Sequence, residues 1–389
     1  MIESNAPMLE GIRILDCTGV VFGPYATQIL ADLGADVIKV EAPGIGDQFR
    51  WAGKHAKTPG MSPGFMGLNR GKRSIELDLK TDEDRAAMRQ LVETADVFIL
   101  NVRGKAAETL GLDYDSIRAV KPDIIYAHCL GFGEDGPYAG LQAYDDVIQA
   151  ITGTTSLLSR VDGNPAARYL PSLIADKVAG LHAAYAVLAA IIHKLRTGEG
   201  QKIDVPMMES FAHFMLLEHL GGRTFDPPTA PICYSRQIDP DRQPFRTADG
   251  FVSIVPYTDE SWPRLFEALG NPVFLEQPQL STRAGRAQNL PALYREIARL
   301  TASLGSADVL ARCEAARIPA MIARDMADVP DDPHLNAVGF FRRTEHPTEG
   351  GWLQLKPPVT FSGWETPGPT QPPLQGEHGA EIRREVGIG

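Results

Sequence analysis

The stretch that decides the fold is Ile12–Glu41, IRILDCTGVVFGPYATQILADLGADVIKVE. Ile12–Asp16 is a short apolar run of the kind buried on both faces of a sheet. The turn Thr18–Gly23 follows, and Pro24 suits the first turn of a helix that runs through Leu33 and ends at Gly34. Asp36–Glu41 is a second strand. Working outward, a helix over Asp82–Thr94 precedes a third strand, Asp96–Leu100, and Asp123–Cys129 reads as a fourth. Apolar strands separated by helices predict an α/β class with a parallel sheet covered on both faces. Ligands in such sheets bind beyond the carboxyl ends of the strands. That points to Asp16–Gly23, Glu41–Asp47, Asn101–Lys105 and Cys129–Phe132.

The chain has 389 residues, enough for two or three domains at roughly 100–200 residues each. With 43% hydrophobic and 22% charged residues it has the composition of a soluble globular protein. The net charge of −11 argues against nucleic acid or an anionic membrane as partner, since both reward a basic surface. Cys17, Cys129, Cys233 and Cys313 are widely spaced, so neither a disulfide framework nor a cysteine zinc site is expected, and a cytoplasmic location is the simplest. The start, MIESNAPMLEGIRILD, lacks a basic-then-apolar signal. The tract Val178–Ile192 is shorter than the ~20 apolar residues of a membrane span and reads as a buried core helix. A Pro-rich linker around Asp226–Pro240 introduces a smaller α+β stretch. In it, Phe251–Val255 reads as a strand and Ser261–Leu269, Pro291–Leu300 and Ser306–Ala316 as helices. Beyond Asp331 the chain is again Pro- and Gly-rich, and the tail is expected to return to the first domain.

Several features can carry chemistry. Gly19-x-x-x-Gly23-Pro24, with Glu41 ending the next strand, is either a nucleotide-phosphate loop or a plain turn, and this turn lacks a proper GxGxxG. Arg50, Lys54, Lys57, Arg70, Lys72 and Arg73 lie in a stretch without acids, which suits a phosphate-bearing ligand or a solvated basic loop. Asp176 heads an Ala-rich helix, where an Asp is either an N-cap or an ionised carboxylate aimed outward as a nucleophile. Tyr144, Asp145 and Asp146 form a polar cluster that serves as cap or pocket. His182 reads as a core histidine and Met207-Met208 as packing. Histidine spacing gives no metal site, and no strand-to-helix nucleophile elbow for Ser/His/Asp hydrolysis is read.

Taken together, these segments resemble the class III CoA-transferases, the CaiB/BaiF family. The similar text includes Leu9–Asp47, Leu68–Lys80 (LNRGKRSIELDLK), Ala95–Ile117, Ile124–Ala150 and Ala175–Ser210, and more faintly DPHLNAVGFFRRTEHP and Gly376–His378. The resemblance implies a Rossmann-like large domain plus a smaller α+β domain in an interlocked homodimer. The large CoA-binding domain would take 1–225 and the returning 331–389, with the small domain and its linkers over 226–330. It implies an acyl-CoA:carboxylate CoA-transferase whose nucleophile is Asp176, acting through an aspartyl anhydride and an aspartyl-CoA thioester. Coenzyme A or its thioester is then a substrate, with a small carboxylic acid as its partner and no tightly bound cofactor. CoA would meet Val20, Val21, Phe22, Leu68, Lys72, Arg73, Asn101 and Met207, with Tyr144 and Asp145 beside the nucleophile.

Backbone N–H groups at the start of the Asp176 helix are expected to stabilise the oxyanions. The chain departs from the formyl-CoA transferases of this family at Ala42 and Gln142, where they carry Arg and Lys, and in lacking a Gly-rich loop near Pro256-Tyr257-Thr258. Three other readings compete. An α-methylacyl-CoA racemase would need a GHD histidine, and this chain has Ala143-Tyr144-Asp145 there. An NAD-dependent oxidoreductase would need the missing fingerprint, and a non-catalytic CoA-binding protein would not need Asp176.

Overall fold

The computed structural model describes residues 6–55, 57–365 and 368–387. The first five residues of the acidic start therefore lie outside the described residues. The chain divides into two units. One takes in the chain up to Thr155, Tyr169–Leu217 and Leu335 onward; the other is Ser156–Arg168 with Glu218–His334. The sequence-based boundaries at 226 and 331 had left Ser156–Arg168 with the first part.

The first unit is built on a six-stranded parallel sheet. Its strands are β1 (Arg13–Cys17), β2 (Asp36–Glu41), β3 (Arg73–Glu76), β4 (Val97–Leu100), β5 (Ile125–Leu130) and β6 (Lys202–Pro206), in the order β3-β2-β1-β4-β5-β6. Two of the six were not expected from sequence. β3 is four residues long with charged ends, and β6 is a half-exposed edge strand ending in Pro206, so neither shows a long apolar run. Successive strand residues point to opposite faces. Ile14, Val37, Val97, Ile99, Ile125 and Ala127 join one core. Leu15, Ile38, Phe98, Leu100 and Tyr126 join the other.

Helices α1 (Phe22–Asp32) and α4 (Ile174–Thr197) cover the first face, and α2 (Asp82–Glu93) covers the second. The short α3 (Asp145–Ile151) precedes α4, and α5 (Met207–His219) leads out of the unit. Ala175, Ala179, Ala183 and Gly180 give α4 a thin buried stripe. A Cβ on Gly180 would stand 2.9 Å from the Phe22 carbonyl oxygen, so only glycine permits this approach. The sequence suggested a buried core helix, but one side of α4 is exposed: Tyr185 is 59% and Leu195 74% exposed. By length and composition α4 could cross a membrane, with 44% of its most apolar stretch buried. The tail does return to this unit: after a hairpin of β10 (Phe341–His346) and β11 (Gly350–Leu355), helix α9 (Gly379–Glu385) buries Ile382 in the second core.

The second unit holds a three-stranded antiparallel sheet of β7 (Phe245–Arg246), β8 (Phe251–Ile254) and β9 (Ala320–Ile322). Helices α6 (Ser261–Ala268), α7 (Leu290–Thr301) and α8 (Ser306–Ala315) pack Trp262, Phe266, Ile297 and Val309 into its core.

Candidate active site

The strand order reverses between β1 and β4, and a cavity of about 1210 Å³ opens beyond the carboxyl ends of the strands. All six strands feed it. Gly19, Val20 and Phe22 follow β1, Ala42 and Asp47 follow β2, and Leu77 to Lys80 follow β3. Asn101 to Ala106 follow β4, Gly131 and Phe132 follow β5, and Met207 follows β6. Tyr144 and Asp176 line the same cavity.

Asp176 lies in the first turn of α4 and is 6% exposed. It does not cap the helix. That task falls to Asp145, thirty-odd residues earlier in the chain, whose Oδ1 accepts the N–H groups of Ala175 at 2.7 Å and Asp176 at 3.1 Å. Gln149 locks the other Asp145 oxygen at 2.6 Å and also holds the Leu170 N–H at 2.9 Å. Asp145 is thus a buried cap behind the wall rather than a pocket residue. The cap consumes the N–H groups expected to receive oxyanions. Burial, with the nearby anions of Asp145 and Asp146, pushes the Asp176 carboxyl up to about 7. The helix end does not keep it in the usual carboxylate range, contrary to expectation.

The turn after β1 is held by Asp16 of β1 itself and by side chains from later segments. Thr18 N–H and Oγ1 donate to Asp16 Oδ1 at 3.0 and 2.5 Å, and the Thr18 carbonyl accepts from Lys39 Nζ at 2.9 Å. Asn101 bonds both the N–H and the carbonyl of Gly19, at 3.1 and 2.9 Å. The Val20 N–H donates to Asp47 Oδ1 at 2.8 Å, and Asp47 Oδ2 pairs with Lys39 Nζ at 2.9 Å. Val20 sits at φ 73°. For a β-branched residue that is a strained conformation of about 1–3 kcal/mol.

In the acid-free basic stretch Arg50, Arg70, Lys72 and Arg73 are taken up in ion pairs, while Lys54 and Lys57 are exposed. Arg50 grips both oxygens of Glu41 at 2.7 Å, and Arg70 pairs with Asp32 at 2.5 Å. Lys72 is buried against Asp16 at 3.0 Å, with Asn69 and Thr27 at 2.8 Å. Burial pulls the Lys72 ammonium down to about 8 against the pull of Asp16. Burial alone would raise Asp16, but Lys72, Lys39 and two hydroxyls hold it far below the usual carboxylate range. Arg73 pairs with Asp36, Glu381 and Glu385, tying α9 to the sheet.

Leu68, Lys72 and Arg73 are therefore corrected as ligand contacts. They lie at the amino end of β3, whereas the cavity lies beyond its carboxyl end. Val21 is buried at the N-cap of α1, outside the cavity wall. Glu41 lines the cavity, but with both oxygens taken by Arg50 it is not arranged as a ribose acceptor. The cations that do face the cavity are Lys80, Arg103 and Lys105, all exposed and without an ion-pair partner among the described residues. They follow β3 and β4, and only the rule about strand ends pointed toward two of them. Ala42, Gln142 and Ala143 also line the wall. Among the described residues no group of three His, Cys, Asp or Glu side chains is arranged for a metal ion.

An aspartate with no capping duty, at the end of a cavity with cations elsewhere on its wall, suits an acyl group carried on a long polyanion. The chain matches the model of CoA-transferase family III over residues 9–379. It belongs to that family. It is accordingly a CoA-transferase, an enzyme whose substrates are CoA thioesters. A succinate–glutarate CoA-transferase of Agrobacterium fabrum is 33% identical, over 99% of this chain and 97% of the relative. A succinyl-CoA:mesaconate CoA-transferase of Haloarcula hispanica is 35% identical, over 98% and 97%. A CaiB/BaiF family protein from Brucella suis superimposes with a TM-score of 0.83 at 31% identity, covering 98% of this chain and 100% of its own. The oxidoreductase reading falls with this membership.

Proposed function

We propose that this CoA-transferase moves CoA between a thioester donor and a small carboxylic acid, with Asp176 as the covalent nucleophile. The observation that carries the reading is the Asp176 carboxylate itself, buried on the cavity wall and relieved of capping by Asp145. Its oxygen attacks the donor thioester carbonyl and expels CoA thiolate, leaving a mixed anhydride. The thiolate attacks the aspartyl carbonyl, releasing the donor acid and forming an aspartyl-CoA thioester. The acceptor carboxylate displaces the thiolate to form a second anhydride. The thiolate then attacks the acceptor carbonyl, giving the new thioester and free Asp176. No net proton is consumed, and each step expels a competent leaving group.

Val20, Phe22, Asn101 and Met207 wall the pantetheine arm in this reading, with Tyr144 beside the reacting carbonyl. Lys80, Arg103 and Lys105 receive phosphate charge. With the α4 N–H groups occupied, the uncapped start of α1 beside Phe22 offers a backbone dipole for an oxyanion. Tyr144 at the histidine position of the racemase GHD segment supports transfer over racemisation. The names of the relatives favour small dicarboxylates as donor and acceptor. The exposed apolar side of α4 supports a homodimer, and the four free thiols a reducing, cytoplasmic setting. The test is a panel of CoA thioesters against free acids, with exchange read by mass. Succinyl-CoA with glutarate or mesaconate should exchange; hydrolysis or α-proton exchange without transfer would overturn the reading.

A further inference from the structure

Asp47 lies three strands before the nucleophile in sequence, yet it governs the shape of the turn that faces the cavity. Its Oδ1 accepts the N–H groups of Val20 at 2.8 Å and Phe49 at 2.9 Å, and its own N–H donates to Glu41 Oε1 at 3.0 Å. Its Oδ2 meets Lys39 Nζ at 2.9 Å, with both side chains fully buried. Lys39 in turn donates to the Thr18 carbonyl at 2.9 Å. One ion pair therefore grips the turn at both Thr18 and Val20. Gly19 stands between them because a Cβ there would lie 3.2 Å from Asp47 Oδ1. Val20 is held at φ 73°, a conformation a free valine abandons, and both Gly19 and Val20 form cavity wall. Strain kept in place by surrounding structure is a mark of a pre-organised site.

We propose that the Asp47–Lys39 pair is a positioning device: it holds Val20 in the left-handed conformation so that the turn presents a fixed wall to the acyl-CoA thioester arm. This inference rests on the CoA reading above, and Asp47 acts through Val20 rather than on the reacting atoms. The pair is neutral overall and sealed from water, so its role is geometric rather than a supply of charge to the ligand.

The experiment first measures CoA binding to the wild-type enzyme by calorimetry; absence of binding would overturn the CoA reading itself. Steady-state exchange with succinyl-CoA is then compared in Asp47→Asn, Asp47→Ala and each combined with Val20→Gly. Asparagine cannot accept from Val20 and face the Lys39 ammonium without setting an amide N–H against that cation. KM for succinyl-CoA should rise about fivefold in Asp47→Asn and about tenfold in Asp47→Ala, with kcat changing less than about threefold. Glycine adopts the left-handed conformation without help, so adding Val20→Gly should return KM to within about threefold of Val20→Gly alone. The isosteric Asp47→Asn carries the test if Asp47→Ala does not fold. A KM unchanged in Asp47→Asn, or raised but not lowered again by Val20→Gly, overturns the proposal and leaves Asp47 a purely structural residue.

Discussion

At the scale of single residues the decisive quantity is the proton on Asp176. Its carboxyl is raised from 3.8 to about 7, so the nucleophilic carboxylate is the minority form below neutrality. The exchange rate should climb through pH 7 and level above it, as a pH–rate profile of kcat would show. Asp145→Asn removes one of the two anions responsible and should move that midpoint to lower pH. It should also weaken the α4 cap, lowering stability by about 1–2 kcal/mol. The raised value also bears on folding. The native state binds the extra proton between the unfolded and folded values, so stability falls as pH rises from about 4 to 7 and stays reduced above that. Asp176→Asn should therefore stabilise the protein at pH 8 but not at pH 4, by about 1–3 kcal/mol in urea titrations. Residue roles were only partly legible in sequence. Asp176 was found from its place at a helix start, but its cap was not, because Asp145 reaches it through the packing of α3 on α4.

At the scale of elements the fold depends on how closely α4 lies on α1. Gly180→Ala would press a methyl group onto the Phe22 carbonyl, which is backbone and cannot swing aside. A loss of about 1–3 kcal/mol is expected, with a fall in kcat because both Asp176 and Phe22 line the cavity. Melting curves and kinetics check both. The elements legible in sequence were those with strong periodicity: β1, β2, β4, β5, α1, α2 and the helices of the second unit. β3 and β6 were hidden by their charged or half-exposed residues, and they declare themselves only through pairing with β2 and β5. The resemblance sends Lys72 and Arg73 to the ligand, whereas β3 divides the Leu68–Lys80 segment and turns Leu77–Lys80 to the cavity.

At the scale of the molecule the −11 net charge conceals its distribution. The charges of Arg50, Arg70, Lys72 and Arg73 are met by acids from β1, β2, α1 and α9, which no reading along the chain can pair. Removing Lys72 should therefore act on folding: Lys72→Met deprives the buried Asp16 of its ion-pair partner, a loss of about 3–5 kcal/mol. Removing Arg103 and Lys105 together should leave stability nearly unchanged and weaken CoA binding, with a loss that shrinks at high salt. Calorimetry at two salt concentrations separates the two cases. The apolar side of α4 belongs to this scale too. Sedimentation should show a dimer, and Tyr185→Glu with Leu195→Glu should shift it toward monomer; an unaltered dimer would place the interface elsewhere.

The central claim is that Asp176 becomes covalently acylated, and trapping tests it most directly. Enzyme incubated with succinyl-CoA and hydroxylamine, then digested and read by mass, should carry a hydroxamate on the peptide containing Asp176, and Asp176→Ala should lose both adduct and exchange. Full exchange by Asp176→Ala, or turnover with no modification of that peptide, would contradict it.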